Sequence, residues 1–242
     1  MTKIYVIGIG YRPLDKNASE AVYRSDVILA SSRLLDVFKS YEEYESVKDK
    51  IRVLGDIHET MDFLRQHTIE GGTTKLITQN PELRTIALLA VGDPMFFGIG
   101  RMIIEAFDKD VVEIYPDLSS IQVAFSRIRE TWNDAFLISV HGGPDPAKRR
   151  KLEYELRDIP SLLSNHDKIA ILTDKVNNPA EIAKEIMKPS AVSRQLAALR
   201  MYVCEKLGYD DEKITDGTPE DISALSFVHP NVVIIKKEDS KQ

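Results

Sequence analysis

The apolar positions of this chain switch between two periods, and the switching predicts an alternation of strands and helices. Lys3-Ile-Tyr-Val-Ile-Gly-Ile is a short β-branched run closed by glycine, the pattern of a strand buried on both faces of a parallel sheet. Val27-Ile-Leu-Ala repeats it, and residues 19–25 between the two carry apolar side chains at helical spacing. The opening is therefore strand, glycine-bearing loop, helix, strand. Further strands are predicted at 51–54, 85–91 and 111–114, and helices at 33–38, 57–67 and 99–107. Residues 68–74 mix glycine with hydroxyl side chains without periodicity and read as a surface loop.

At Tyr115-Pro-Asp a strand meets a proline that cannot continue a ladder, and a polar turn follows. A domain boundary is placed there, giving domains of residues 1–115 and 116–242. In the second, 136–140 and 168–173 read as strands, and 147–156 carries helix formers. Asn178-Pro179 supplies an N-cap and a first-turn proline. Residues 200–207 and 232–236 return to strand patterning, and Thr218-Pro-Glu-Asp starts a short helix.

A chain of 242 residues is long for one core and comfortable for two, so the expected class is a two-domain α/β protein with a cleft between the domains. Its 43% apolar and 29% charged residues exclude a disordered or collagen-like chain. The net charge of -6, with basic residues scattered, argues against nucleic acid as a partner. Only Cys204 is present, which excludes an intrachain disulfide and fits a reducing cytoplasm. The apolar segment 4–9 is too short for a signal peptide or a membrane span, so no membrane association is expected.

Three loops carry candidate chemistry. Gly8-Ile9-Gly10 with Tyr11-Arg12-Pro13 follows the first strand, where parallel sheets commonly place ligands; the same residues also read as a plain strand-ending turn. Leu88-Leu-Ala-Val-Gly92-Asp93-Pro94-Met95-Phe96-Phe97-Gly98 stops a strand at a Gly-Asp-Pro turn. There backbone N–H groups, one carboxylate and an apolar wall of Met95 and Phe96 gather, the lesser reading of Asp93 being a helix-capping turn residue. Ser119-Ser120 precede the periodic run Ile121, Ala124, Phe125, Ile128, an arrangement that suits an anion or simply an N-cap.

His141 stands between a strand and Gly142-Gly143, either as a strand-end hydrogen-bonding group or as a residue managing a proton in a cleft. His58, His67, His166 and His229 lack metal-ligand spacing, so no metal is expected. The run Lys148-Arg-Arg-Lys151 reads as a solvated helix face.

Taken in order, the glycine-bearing first loop, the Val-Gly-Asp-Pro-Met loop and the Pro-x-x-Ser-Ser-x-Gln-x-Ala helix start resemble the tetrapyrrole methylases over nearly the whole chain. Ser139-Val-His141-Gly142, Leu172-Thr173-Asp174 ahead of Asn178-Pro179, and Val203-Cys-Glu205-Lys-Leu207-Gly208-Tyr209 are most similar to the branch that acts on precorrin-7 or cobalt-precorrin-7. The resemblance implies a class III S-adenosylmethionine (SAM) methyltransferase fold with the cofactor in the inter-domain cleft. It also implies C-methylation of a corrin-ring precursor at carbon 5 in cobalamin biosynthesis, a homodimer, and a separate C(15)-methyltransferase/decarboxylase partner. A sister methylase acting at another ring position and a non-catalytic SAM-binding module are the alternatives.

By the same resemblance, Gly10, Pro13, Gly92, Asp93, Met95, Phe96, Gly98, Ser119, Ser120, Leu172, Thr173, Pro230 and Asn231 are expected at the cofactor. A substrate rich in carboxylates calls for arginine, and Arg33 and Arg127 are the candidates. The first loop lacks a Pro-Gly pair after Gly10, Asp117 stands where the family commonly has glycine, and Lys175 follows Leu-Thr-Asp where glycine is frequent.

Overall fold

A computed structural model describes residues 2–68, 85–142, 151–189 and 198–238. The chain divides into two compact units, Met1–Ser119 and Ser120–Gln242.

The first unit contains β1 (Lys3–Ile9), α1 (Lys16–Arg24), β2 (Val27–Ala30), α2 (Ser32–Phe38), α3 (Tyr44–Val47), β3 (Ile51–Val53), α4 (Ile57–His67), β4 (Thr85–Val91), α5 (Gly100–Ala106) and β5 (Val112–Tyr115). Its five strands are parallel and run β3-β2-β4-β1-β5. Successive residues of β1 serve opposite faces. Ile4 and Val6 join the core with Met61, Leu64 and Ile103, while Tyr5, Ile7 and Ile9 join the core with Val22, Leu34 and Phe38. Helices therefore cover both faces, and this explains the nearly continuous apolar runs of β1 and β4. Asp15, Ser31 and Asp56 each accept the N–H three residues on, fixing where α1, α2 and α4 begin.

The second unit contains α6 (Ser120–Ile128), β6 (Phe136–Ser139), α7 (Ile159–Asn165), β7 (Lys168–Leu172), α8 (Pro179–Met187), β8 (Leu199–Glu205), β9 (Lys213–Gly217), α9 (Pro219–Ser223) and β10 (Asn231–Lys237). Its sheet order is β6-β7-β10-β8-β9, with only β6 and β7 parallel. Ile169, Ile171, Met201, Val203, Val233 and Ile235 pack against α7, α8 and α9, and α6 lies against β7 and β10. Asn178 caps α8 ahead of Pro179, and Thr218 with Asp221 forms a capping box on α9, both where the sequence places a helix start.

The helix predicted at 147–156 needs correction. Residues 147–150, and the basic run as far as Arg150, lie outside the described residues, but 151–155 are not helical. Leu152, Tyr154 and Leu156 are half-buried while Lys151, Glu153 and Glu155 are exposed, a period of two that packs every second side chain on the core. The Tyr154 ring meets Phe136 edge-on at 5.7 Å, and the helical path resumes only where Glu155 and Asp158 cap a 3-10 turn. Of the loop read at 68–74, only Thr68 is described; it is buried, closing α4 through its N–H to Leu64. The strand predicted at 200–207 ends at Glu205 because Lys206 turns left-handed, at φ 47°.

Candidate functional site

In the first unit three loops follow the C-terminal ends of the adjacent strands β4, β1 and β5. Their contact depends on Gly8. A Cβ on Gly8 would lie 1.9 Å from the Gly92 carbonyl oxygen and 2.6 Å from the Asp117 nitrogen, two atoms joined by a 3.3 Å hydrogen bond. Gly92 in turn donates to Ile9 at 2.9 Å, adopts a left-handed φ of 59°, and sits where a Cβ would meet Leu118 O at 2.7 Å and Ser119 Cα at 3.5 Å. The Gly-Asp-Pro turn and the turn leading to Ser119 are thus side by side.

Asp117, read from sequence only as a departure from the family pattern, ties these loops together. Its buried carboxylate accepts Tyr11 N–H at 2.7 Å, Arg12 N–H at 3.3 Å, Arg12 Nε at 2.9 Å and Leu118 N–H at 2.7 Å. No local pattern announces this role, because apart from Leu118 the donors belong to Tyr11 and Arg12, about a hundred residues away. The Tyr41 hydroxyl accepts Gly10 N–H at 2.7 Å, and burial pushes the ionisation of Tyr41 upward. Pro13 is exposed between this anchored loop and the Asp15 cap.

The β4 loop departs from a simple turn. Asp93 accepts Met95 N–H at 2.8 Å, and Pro94 O accepts Gly100 N–H at 2.8 Å, so the carboxylate does cap the turn locally. Beyond it, Phe97 is held at φ 54°, a conformation that costs a bulky residue about 1–2 kcal/mol. Its ring is edge-on to Phe96 at 4.9 Å, yet Phe97 is 41% exposed and Met95 48% exposed. Gly98 is required, since a Cβ would stand 2.6 Å from Pro94 O. Two large apolar side chains thus face solvent on a constrained loop beside a carboxylate and backbone N–H groups.

In the second unit, Leu172 ends β7 and Thr173 follows, its hydroxyl 2.8 Å from Asn231 O and 2.5 Å from Asn231 Oδ1. Asn231 begins β10, and Pro230 O accepts Lys206 N–H at 2.8 Å. The loops after β7 and β8 and the loop before β10 therefore meet, with Thr173 and Asn231 both buried. Asp174 is 3% exposed; it accepts Gly142 N–H at 2.8 Å through Oδ2 and the N–H groups of Val176 and Asn177 at 2.8 and 2.7 Å through Oδ1. His141 Nδ1 stands 3.7 Å from the same Oδ2. Asp174 and Asp117 are the two carboxylates whose importance the sequence reading missed.

The other candidates are dispersed. Ser120 opens α6, Arg33 is exposed in the first turn of α2, and Arg127 near the end of α6 pairs with Glu212, Nε to Oε1 at 2.5 Å. Hydrogen bonding to Glu212 raises the Arg127 pKa, and although burial alone raises the Glu212 pKa, the opposing bonds from Arg127 and Gly208 bring it below the usual carboxylate value. The Arg127 charge is therefore already engaged.

Comparison with known proteins fits this arrangement of loops on two sheets. The model of the tetrapyrrole (corrin/porphyrin) methylases matches residues 3–223. A Methanocaldococcus jannaschii protein named probable cobalt-precorrin-7 C(5)-methyltransferase is 25% identical over 242 residues, covering 98% of this chain and 99% of the relative. Among solved structures, the precorrin-6Y methylase of Archaeoglobus fulgidus superposes with a TM-score of 0.64 at 21% identity, covering 98% of both chains. The uroporphyrin-III C-methyl transferase of Thermus thermophilus complexed with S-adenyl homocysteine gives a TM-score of 0.64 at 16% identity, covering 97% of both. The family model spans more than half of the sequence, and the chain belongs to the tetrapyrrole methylases.

Proposed function

We propose that this chain transfers the methyl group of SAM to carbon 5 of precorrin-7 or cobalt-precorrin-7 in cobalamin biosynthesis. Family membership makes it a methyltransferase. The end-to-end match to the M. jannaschii relative supports the choice of substrate. The observation that carries the reading is the β4 loop, where Phe97 keeps a costly backbone conformation and leaves its ring in solvent beside Met95 and Asp93.

The residues present fit the cofactor. SAM combines an amino acid, a ribose diol, a purine and a sulfonium, and so calls for polar backbone, a carboxylate and apolar side chains together. In the first unit Gly10, Pro13, Gly92, Asp93, Met95, Phe96, Gly98 and Ser119 would serve it; in the second, Ser120, Leu172, Thr173, Pro230 and Asn231 would. When bound, the cofactor supplies an electrophilic methyl group on positively charged sulfur.

The chain's own part is positioning. Reacting atoms must be held about 3 Å apart and in line, and such orientation contributes several kcal/mol to the barrier reduction. Gly8 and Asp117 supply that rigidity by fixing the loops to one another. Met95 and Phe97 would exclude water around the reacting carbon. Arg33 is the proposed contact for a substrate carboxylate, whereas Arg127 would first have to leave Glu212.

A homodimer, a cytoplasmic location and a separate protein for C(15) methylation and decarboxylation complete the reading. Among the described residues no helix is long and apolar enough to cross a membrane. The test is to supply precorrin-7 and cobalt-precorrin-7 with SAM and locate the new methyl by NMR. A methyl at C(5) is expected; a methyl at another carbon refutes the substrate assignment. Binding of SAM without turnover on any tetrapyrrole would favour a binding module instead.

A further inference from the structure

We infer that His141 is the proton acceptor of the methyl-transfer reaction and that Asp174 is its positioning residue, an inference that rests on the function proposed above. The geometry separates the two groups by role. Asp174 is buried and immobilised by three backbone N–H groups from two loops, those of Gly142, Val176 and Asn177. Its Oδ2, besides accepting Gly142 N–H, faces His141 Nδ1 at 3.7 Å. The His141 side chain is 42% exposed, so the ring is open to a ligand and to water.

At 3.7 Å the carboxylate is an ionic neighbour of Nδ1 rather than its hydrogen-bond acceptor; closing by a few tenths of an ångström would let it hold the proton there, orient the ring, and stabilise the imidazolium formed when the other nitrogen takes a proton. In structures without substrate such pairs are often long and tighten in the productive complex. The surrounding loops keep the pair in place: Asn177 Nδ2 donates to Val140 O at 2.7 Å, and Asp174 follows Thr173, which is fixed to Asn231. Among the described residues, Asp174, from the loop after β7, and His229, from the loop before β10, stand against the ring, with the imidazole centroids 6.4 Å apart.

The reaction supplies a proton to accept. The new carbon–methyl bond uses an electron pair of the macrocycle, and the donor's sulfur keeps the pair of the bond that breaks. The positive charge thus passes from sulfur to the macrocycle, which returns to its original charge by releasing one proton. His141 Nε2 takes that proton and afterwards passes it to solvent.

The test has two arms. In the first, ¹⁵N-histidine NMR of the full chain reads the His141 tautomer without turnover. Nδ1–H is expected in the wild type, with mixed tautomers in Asp174→Asn; a wild-type Nε2–H tautomer overturns the inference. In the second arm, His141→Ala lowers kcat on cobalt-precorrin-7 by about 100-fold or more, leaves the SAM Kd within about threefold, and is partly rescued by imidazole. The acid limb of the Asp174→Asn kcat profile moves to lower pH. An unchanged kcat in His141→Ala, or a loss that imidazole does not restore, overturns the inference. Because Asp174 also holds loop backbone, the His141→Ala arm decides the matter if Asp174→Asn does not fold. A wild-type chain that binds SAM but methylates no corrin precursor refutes the proposed function, while the tautomer still decides the pairing.

Discussion

Gly8→Ala adds a single carbon at the most crowded point of the first unit. The new Cβ would lie 1.9 Å from Gly92 O and 2.6 Å from Asp117 N, whereas ordinary contact begins at 3.4 Å. The carbonyl must therefore retreat by about 1.5 Å, and a well-packed site resists this at about 1–3 kcal/mol. The Asp117 N–H to Gly92 O bond is severed as well, adding about 1 kcal/mol. A total of about 2–4 kcal/mol corresponds to a fall in Tm of roughly 4–16 °C in a chain of this size. Displacing the β4 and β5 loops by more than an ångström should also weaken S-adenosylhomocysteine binding by about tenfold or more. Thermal and urea denaturation with titration calorimetry measure both effects. Gly55→Ala is the control, since its nearest neighbour is the end of the Glu59 side chain at 3.2 Å, and it should stay within about 0.5 kcal/mol of wild type. If Gly8→Ala melts within about 2 °C of wild type with unchanged affinity, the close approach does not hold the loops.

Asp117→Asn removes the charge that gathers four donors and turns an amide N–H₂ toward some of them, so urea denaturation should show a loss of about 2–4 kcal/mol with weakened cofactor binding. Phe97→Gly relieves a left-handed backbone and removes a half-exposed ring; stability should be unchanged or improved by about 1 kcal/mol while the SAM Kd rises, a combination calorimetry and melting resolve together. Burial, and then the Glu212 charge, push the Cys204 thiol up to about 12, so at pH 8 on the order of one molecule in 10⁴ carries a thiolate and iodoacetamide should label only unfolded protein. Since the unfolded thiol ionises near 9.0, its contribution to stability is complete below that pH and declines as pH rises toward 12, which alkaline denaturation of Cys204→Ala against wild type would reveal.

The strands of both sheet interiors were legible because burial on two faces forces continuous apolar runs, as in Lys3–Ile9 and Asn231–Lys237. The edge strand β9 was not, since Lys-Ile-Thr-Asp-Gly has one large apolar residue and most of its length is exposed. At 151–155 helix-forming composition misled, because packing on Phe136 and its neighbours favours an extended path that propensity does not register. The candidate loops were readable from glycine, proline and hydroxyl spacing, which report local backbone needs. Asp117 and Asp174 were opaque for the opposite reason: beside their local N–H partners, each also gathers donors from a distant loop, Tyr11 and Arg12 for the one and Gly142 for the other, and no window of neighbouring residues contains that convergence.

The place of β10 in its sheet has a consequence for how the protein is made. This strand lies between β7 and β8, so a growing polypeptide that has not yet emitted Asn231–Lys237 holds two separate strand pairs whose facing edges lack a common partner. Val232–Ile235 then closes the gap from both sides at once, joining segments synthesised dozens of residues earlier. On the ribosome the first half can mature early while the second waits for its keystone, and that interval is when β7 and β8 are open to mispairing.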